Sequence, residues 1–353
     1  MTDTSSTPRR RVNLSHLVST WGLLILLVML LVVFSALKPD TFPTYFNFRS
    51  IVNNKSVQAM LALAVFVPMT ANHFDLSVGF MLGIAQVLVI GLQGDGLPWP
   101  AAAGLVLLLG AGVGLANGLL VTFVGIDSFI ATLGMGTLIY GFNEWYTGGQ
   151  QVVATLPGSF LAISGAVAGI PLPALYVALI GGLLFVFFEY LPAGRYLYVL
   201  GASPRTAELN GISARRYVTA AFVAAGVLAA LAGIVLQSQL EVGQSSVGPE
   251  YLLPAFTAAL LGATSVKPGR VNVLGTLLAV AVLSVTVAGL NQLGAPFFVE
   301  PIFNGAMLIL AVGLAVTAAR QRVRLGTEAD AGQVLAGTPA VIENTAPGAT
   351  DHG

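Results

Sequence analysis

Cysteine is absent from the 353 residues, so the sequence offers no disulfide, no thiolate metal site and no thiol redox centre. Charge is scarce, at 8% Asp, Glu, Lys and Arg, against about a quarter in a soluble domain. The three histidines, His16, His73 and His352, are scattered. Neither H-E-x-x-H nor G-x-S-x-G occurs, which argues against a metalloprotease or a serine hydrolase. No G-x-x-x-x-G-K-[ST] is present, and none of the three lysines follows a glycine, so the chain carries no phosphate-binding loop of its own. Alternation of period two is missing as well, which argues against a β-barrel.

What is there is apolar: 56% of the residues are hydrophobic. Uncharged stretches such as Leu17 to Leu37, Tyr217 to Leu240 and Val271 to Val299 meet the roughly 20 residues needed to cross a bilayer as a helix. The fold class expected is all-α, a polytopic membrane protein with about ten transmembrane helices. The spans read as 18–37, 52–71, 77–93, 97–123, 128–146, 172–191, 217–239, 251–264, 271–290 and 299–319. With a cytoplasmic amino terminus, twelve of the fifteen Lys and Arg fall on the cytoplasmic side; Lys38, Arg49 and Lys55 fall on the other. That asymmetry is what the positive-inside rule expects, and it places both termini in the cytoplasm. Arg9 to Arg11 before the first apolar run resemble the start of a signal peptide, yet the run is longer than the usual core and lacks an A-x-A cleavage site, so a retained helix is expected.

Three domains follow: a disordered cytoplasmic tail at 1–17, a membrane domain at 18–320, and a second disordered tail at 321–353. The uncharged outer connection at 147–171 is expected to hold a short helix within reach of a soluble partner.

The stretch "ANHFDLSVG" at 71–79 raises a question of its own. From Ser56 to Gly94 only Asp75 carries charge, with His73 beside it. A single helix of that length would run about 58 Å, far beyond a hydrocarbon core of about 30 Å, so the chain must reverse here. Pro68 weakens the preceding helix, and Asp75 or Ser77 can cap the following one. Gly79 and Gly83 would let another helix approach closely. One reading makes Asp75 a simple cap at the cytoplasmic surface; the other makes it line or brace a translocation path. His73 reads as a loop hydrogen-bonder, with no second ligand at metal spacing.

The two halves echo each other at an offset of 169: Ser77, Val78 and Gly79 map onto Ser246, Val247 and Gly248, Gly125 onto Gly294, Phe129 onto Phe298, and Gly136 onto Gly305. Five spans separate the copies, so they would be inverted, spans 2–5 mirroring spans 7–10 with interrupted helices at the interface. Polar side chains that could face that interface and form a weakly hydrated pathway are Asn72, Asp75, Ser77, Asn117, Gln237, Asn291 and Asn304, some of which could serve only to hydrogen-bond helices together.

The cytoplasmic loop at 192–216 contains "GASPRTAELNGISARRY". Ser203 is a good N-cap with Pro204 at the first helical position, Arg205 and Glu208 in the body, and Gly211 able to close it. This predicts about two turns of helix. Such a helix could lie on lipid headgroups through its arginines, or dock a cytoplasmic partner.

Four segments in order, "FDLSVGFMLGIAQ", "DSFIATLGMGTLIYGF", "GRYLYVLGASPRTAELNGISARRY" and "LLGATSVKPGRVNVLGTLLAV", resemble the membrane permease subunit of bacterial ABC importers for ribose, xylose, arabinose and similar sugars. The resemblance covers about residues 18 to 320. It implies a homodimer in the inner membrane, a cytoplasmic ATPase subunit that binds the ATP, a periplasmic sugar-binding protein and no cofactor or nucleic acid for this chain. It identifies the loop at 201–216 with the family's docking loop. Glu208, Asn72 and His73 depart from what the family more often shows, which bears on the substrate. The rivals are a permease for branched-chain amino acids or nucleosides and an ion-coupled transporter, for which Asp75, Asp127, Glu144 and Glu300 are the membrane-proximal carboxylates.

Overall fold

The computed structural model describes residues 14–314, with side chains from residue 20 onward. The tail at 321–353, the end of the last expected span and residues 1–13 of the first tail lie outside the described residues. The elements are helices α1 (Leu14–Leu37), α2 (Tyr45–Met69), α3 (Ser77–Gly94), α4 (Trp99–Leu119), α5 (Ser128–Thr147), α6 (Gly158–Leu161), α7 (Leu172–Tyr190), α8 (Pro192–Ala202), α9 (Pro204–Leu209), α10 (Ala214–Leu240), α11 (Val247–Gly262), α12 (Val273–Gln292) and α13 (Val299–Leu314). A π-helical turn, Leu120–Val124, finishes α4. A two-residue hairpin, β1 (Ala166–Val167) and β2 (Ile170–Pro171), sits before α7.

Each expected span falls on a helix. Seven helices, α1, α2, α3, α4, α7, α10 and α12, are long and apolar enough to cross a membrane, which makes this a multi-pass membrane protein; α5, α11 and α13 do not meet that measure over the described residues. Three helices start four or more residues early, among them α11 at Val247 rather than 251. α1 starts at Leu14, inside the expected tail, and α2 starts at Tyr45 rather than 52. The shift of α2 has a local cause: Thr44 caps it, its Oγ1 accepting from Asn47 N at 3.2 Å, so the helix starts ahead of Arg49 and runs through it.

The core is built on α2, α3 and α10. From Ser56 to Met69 every residue of α2 is buried, the signature of a helix enclosed by others on all sides. Against α10, helix α4 lays Gly110, Gly114 and Gly118, whose missing side chains leave room for the backbone of Gly226, Phe222 and Thr219. Small residues four apart permit this closeness, and the gain is packing rather than hydrophobic burial. By contrast, α1 leaves Trp21, Ile25, Val28, Met29 and Val32 exposed, an apolar surface suited to lipid.

Contacts between connections sort them into two ends. At one, Glu189 pairs with Lys267 and Arg270, Tyr198 Oη donates to the Val271 carbonyl at 2.9 Å and Ser265 Oγ to the Thr20 carbonyl at 2.9 Å. At the other, Val152 and Gly243 exchange backbone hydrogen bonds at 2.9 and 2.8 Å, Tyr45 Oη reaches the Gly169 carbonyl at 2.8 Å and Thr41 Oγ1 donates to Gln292 Oε1 at 2.9 Å. The first is the basic end; the second carries Lys38, Arg49 and Lys55. The connection at 147–171, expected to hold a short helix, contains α6 and a following 3-10 turn, Ala162–Ser164.

Candidate functional site: a double helix break and two cavities

The chain reverses at 70–76, where Asn72 takes a left-handed backbone with φ of 61°. Asp75 is fully buried there. Its Oδ1 accepts from Ser77 N at 3.0 Å and from Ser77 Oγ at 2.6 Å. Asn117 of α4 donates through Nδ2 to Ser77 Oγ at 2.8 Å. Three of the seven pathway candidates, Asp75, Ser77 and Asn117, thus form one buried chain of hydrogen bonds. Asp75 acts as a local cap on Ser77 rather than deep in the helix: α3 begins after Leu76 without a side-chain cap.

Two residues outside the expected set complete this break. Ser128 Oγ accepts from Phe74 N at 3.2 Å, and Thr132 Oγ1 accepts from Leu76 N at 3.0 Å. Non-helical backbone inside a membrane protein needs such partners. Their signal in the sequence is the i, i+4 pair of hydroxyls in "DSFIAT", which places both on one face of α5.

A second reversal at 241–246 leads into α11. Glu241 leaves α10 with φ of 59°, and Ser246 enters α11 with φ of −75° and ψ of −17°, close to the −79° and −15° of Leu76. Here the neighbouring side chains donate: Gln86 Nε2 to the Gln244 carbonyl, and Asn143 Nδ2 to the Ser245 carbonyl at 3.4 Å. Gln237 is buried beside them. With its amide oriented as its neighbours require, it donates to Gln86 Oε1 at 2.9 Å and accepts from Val242 N at 3.2 Å.

The two broken helices cross at their glycines. A side chain on Gly248 would meet Gly83 Cα at 2.6 Å, and one on Gly79 would meet Leu252 Cβ at 2.9 Å. The close approach expected of Gly79 and Gly83 is therefore made to α11.

At the basic end, α8 and α9 form an elbow under the first break. Ser203 Oγ accepts from Thr206 N at 3.4 Å, and Gly211 has φ of 75° while its N–H bonds the Glu208 carbonyl at 2.9 Å. Ala207 anchors the short helix in the core, while Arg205 and Glu208 pair loosely at 3.8 Å in the open. Pro204 opens the helix. Helix α8 was not anticipated, and its Gly201 lies directly on the backbone of Thr70 and Ala71. A cavity of about 300 Å³ lies beside this contact, with Asn72, His73, Tyr198 and Arg270 among its walls. The Arg270 guanidinium lies over the Tyr198 ring at 4.5 Å. Burial pushes the Tyr198 hydroxyl up to about 12, against the pull of Arg270, so it stays a donor to Val271.

The remaining candidates lie elsewhere. Asn304 lines a second cavity at the end opposite the basic one, between α2, α11 and α13. Asn291 is exposed near the end of α12. Among the described residues the cavity beside the first break takes in Asn72 and the second cavity takes in Asn304, so the seven do not share one cavity. Among the described residues no group of three or more His, Asp or Glu is placed to hold a metal ion.

These features define a class: a multi-pass helical membrane protein whose buried polar groups sit at helix breaks, with a structured elbow at its basic end. The family described as branched-chain amino acid transport system / permease component matches residues 47–312, and the chain belongs to it. It is similar to the ribose import permease of Bacillus subtilis, 31% identical over 313 residues, which are 88% of this chain and 97% of that one. The ribose import permease of Escherichia coli K12 is 32% identical over 321 residues, 88% of this chain and 98% of its own. The D-allose transport system permease of the same strain is 26% identical over 83% of this chain and 90% of its own. No solved structure matches the chain.

Proposed function

We propose that this chain is the transmembrane permease subunit of an ATP-driven importer that moves a monosaccharide into the cytoplasm. The observation that carries the reading is likeness to ribose permeases over nearly their whole length. The family description names branched-chain amino acids, which is the second reading. A chain without a phosphate-binding loop must take its energy from another polypeptide, here a cytoplasmic ATPase seated on the elbow at 192–216. A periplasmic sugar-binding protein delivers the solute at the opposite end, and two copies of the chain form the pathway. The basic end faces the cytoplasm, as the positive-inside rule favours, with both termini and the tails at 1–17 and 321–353 on that side of the inner membrane.

The inverted repeat, with ten spans, is supported by backbone as well as sequence. At the same offset of 169, left-handed Asn72 pairs with left-handed Glu241, and Gly125 (φ 81°) with Gly294 (φ 86°). The packing obeys the same exchange: α4 on α10 corresponds to α12 on α2, and α3 on α10 to α11 on α2. Translocation in this scheme is a tilt of the halves about the crossing of α3 and α11. The elbow transmits force because Gly201 touches the first break directly.

Purification from native membranes followed by mass spectrometry tests the reading. Recovery of an ATPase and a sugar-binding protein, with the sugar that raises the latter's melting temperature, supports it; a leucine-binding partner supports the second reading instead. For the elbow, Glu208→Arg or Gly211→Val should lower uptake with membrane insertion intact, the latter through left-handed strain of about 1–3 kcal/mol. Unchanged solute-stimulated ATPase activity in both variants would count against docking there.

A further inference from the structure

The cavity at the outer end has no role in the scheme above. It occupies about 480 Å³ between α2, α11 and α13, within the about 300–1,000 Å³ typical of small-molecule sites. Two amides line it, Gln58 at 6% exposure and Asn304 at 9%. Among the described residues neither side chain has a hydrogen-bond partner, and their polar atoms are not sealed but open onto the cavity. Each amide offers two donors and an acceptor to whatever enters. Lys55 and Glu300 form part of the wall but are joined to each other at 3.0 Å, so their charges offset. Tyr251 contributes an aromatic face with a polar tip, and Glu250 is exposed at the rim.

We propose that this cavity is an entry subsite for a neutral polyol, in which Gln58 and Asn304 hydrogen-bond the hydroxyls of a monosaccharide and Tyr251 covers its apolar face. The inference rests on the sugar-importer reading. Unpaired amides beside a self-neutralised ion pair suit an uncharged, hydroxyl-rich solute. An anion would need an uncommitted cation, and the carboxylate of a zwitterion would find one only by splitting the Lys55–Glu300 pair.

The absence of cysteine makes the test direct. In the full complex, Asn304→Cys is labelled from outside with a membrane-impermeant thiosulfonate, with Val153→Cys, on the exposed outer connection, as control. D-ribose or D-allose should slow labelling at position 304 and leave 153 unchanged. In uptake assays Gln58→Leu should reduce transport about tenfold, as expected for losing a buried polar contact, while Gln58→Glu retains part of it. Binding-protein-stimulated ATPase activity should persist in both. Equal labelling with and without sugar, or wild-type uptake by Gln58→Leu, would overturn the subsite. Joint loss of uptake and stimulated ATPase activity would overturn it in favour of a docking contact for the binding protein. Protection by leucine and not by sugar would overturn the ligand class. Sugar uptake by the wild-type complex is scored separately: its absence would defeat the importer reading itself, whereas its presence with an unprotected position 304 would defeat only this site.

Discussion

The breaks at 70–76 and 241–246 share a backbone and differ in chemistry. Each leaves a helix through a left-handed residue, Asn72 or Glu241, and each enters a helix that begins near Ser-Val-Gly. In the first, α5 hydroxyls accept from exposed backbone N–H groups and a carboxylate is sealed inside. In the second, amide side chains donate to exposed carbonyls. Only the first touches the elbow, through Gly201. Two breaks of like backbone thus differ in their hydrogen-bonding needs, and the one that buries Asp75 is also the one that lies against the elbow.

The change that should hurt both breaks most is Gly248→Val, because the added carbons have only the backbone of Gly79 and Gly83 to enter. Overpacking typically costs about 1–3 kcal/mol, and more where rigid backbone is the obstacle. Little monodisperse subunit should survive size-exclusion chromatography in detergent. Gly201→Val comes next and acts on the first break alone: uptake should fall severely while the subunit still assembles. Equal damage to assembly would make Gly201 a packing residue and blur the distinction between the breaks.

Asp75→Ala should then cost about 1–3 kcal/mol by leaving buried Ser77 groups without their acceptor, whereas Asp75→Asn keeps one and should be milder. The amount of assembled complex, measured beside uptake, separates folding from transport; wild-type uptake in Asp75→Ala would reduce the residue to a dispensable cap. Gln86→Leu in the second break should show the smallest effect, about 0.6–2 kcal/mol for an interhelical hydrogen bond in a membrane protein. If it matched Asp75→Ala, the difference in chemistry would carry no difference in consequence.

Much of the first break was legible in advance. Thirty-nine residues interrupted by one charge cannot cross a membrane once or comfortably twice, so the reversal near Asp75 followed from length alone. Ser203 and Gly211 were legible because capping is local chemistry. Ser128 and Thr132 were not, since nothing in a pair of hydroxyls says which backbone they will meet. The early start of α2 was not legible either, because Arg49 interrupts the apolar run after the Thr44 cap.

By itself the sequence determined that the chain belongs in a membrane and where its long apolar helices fall. Those properties depend on apolar run length, charge placement and local turns. Only the tertiary structure decided that Gly79, Gly83 and Gly248 meet at one crossing, that Asp75 joins Asn117, and that Gln58 and Asn304 face one cavity. Each is a contact between residues far apart in the chain, fixed by how whole helices pack rather than by any neighbour in sequence.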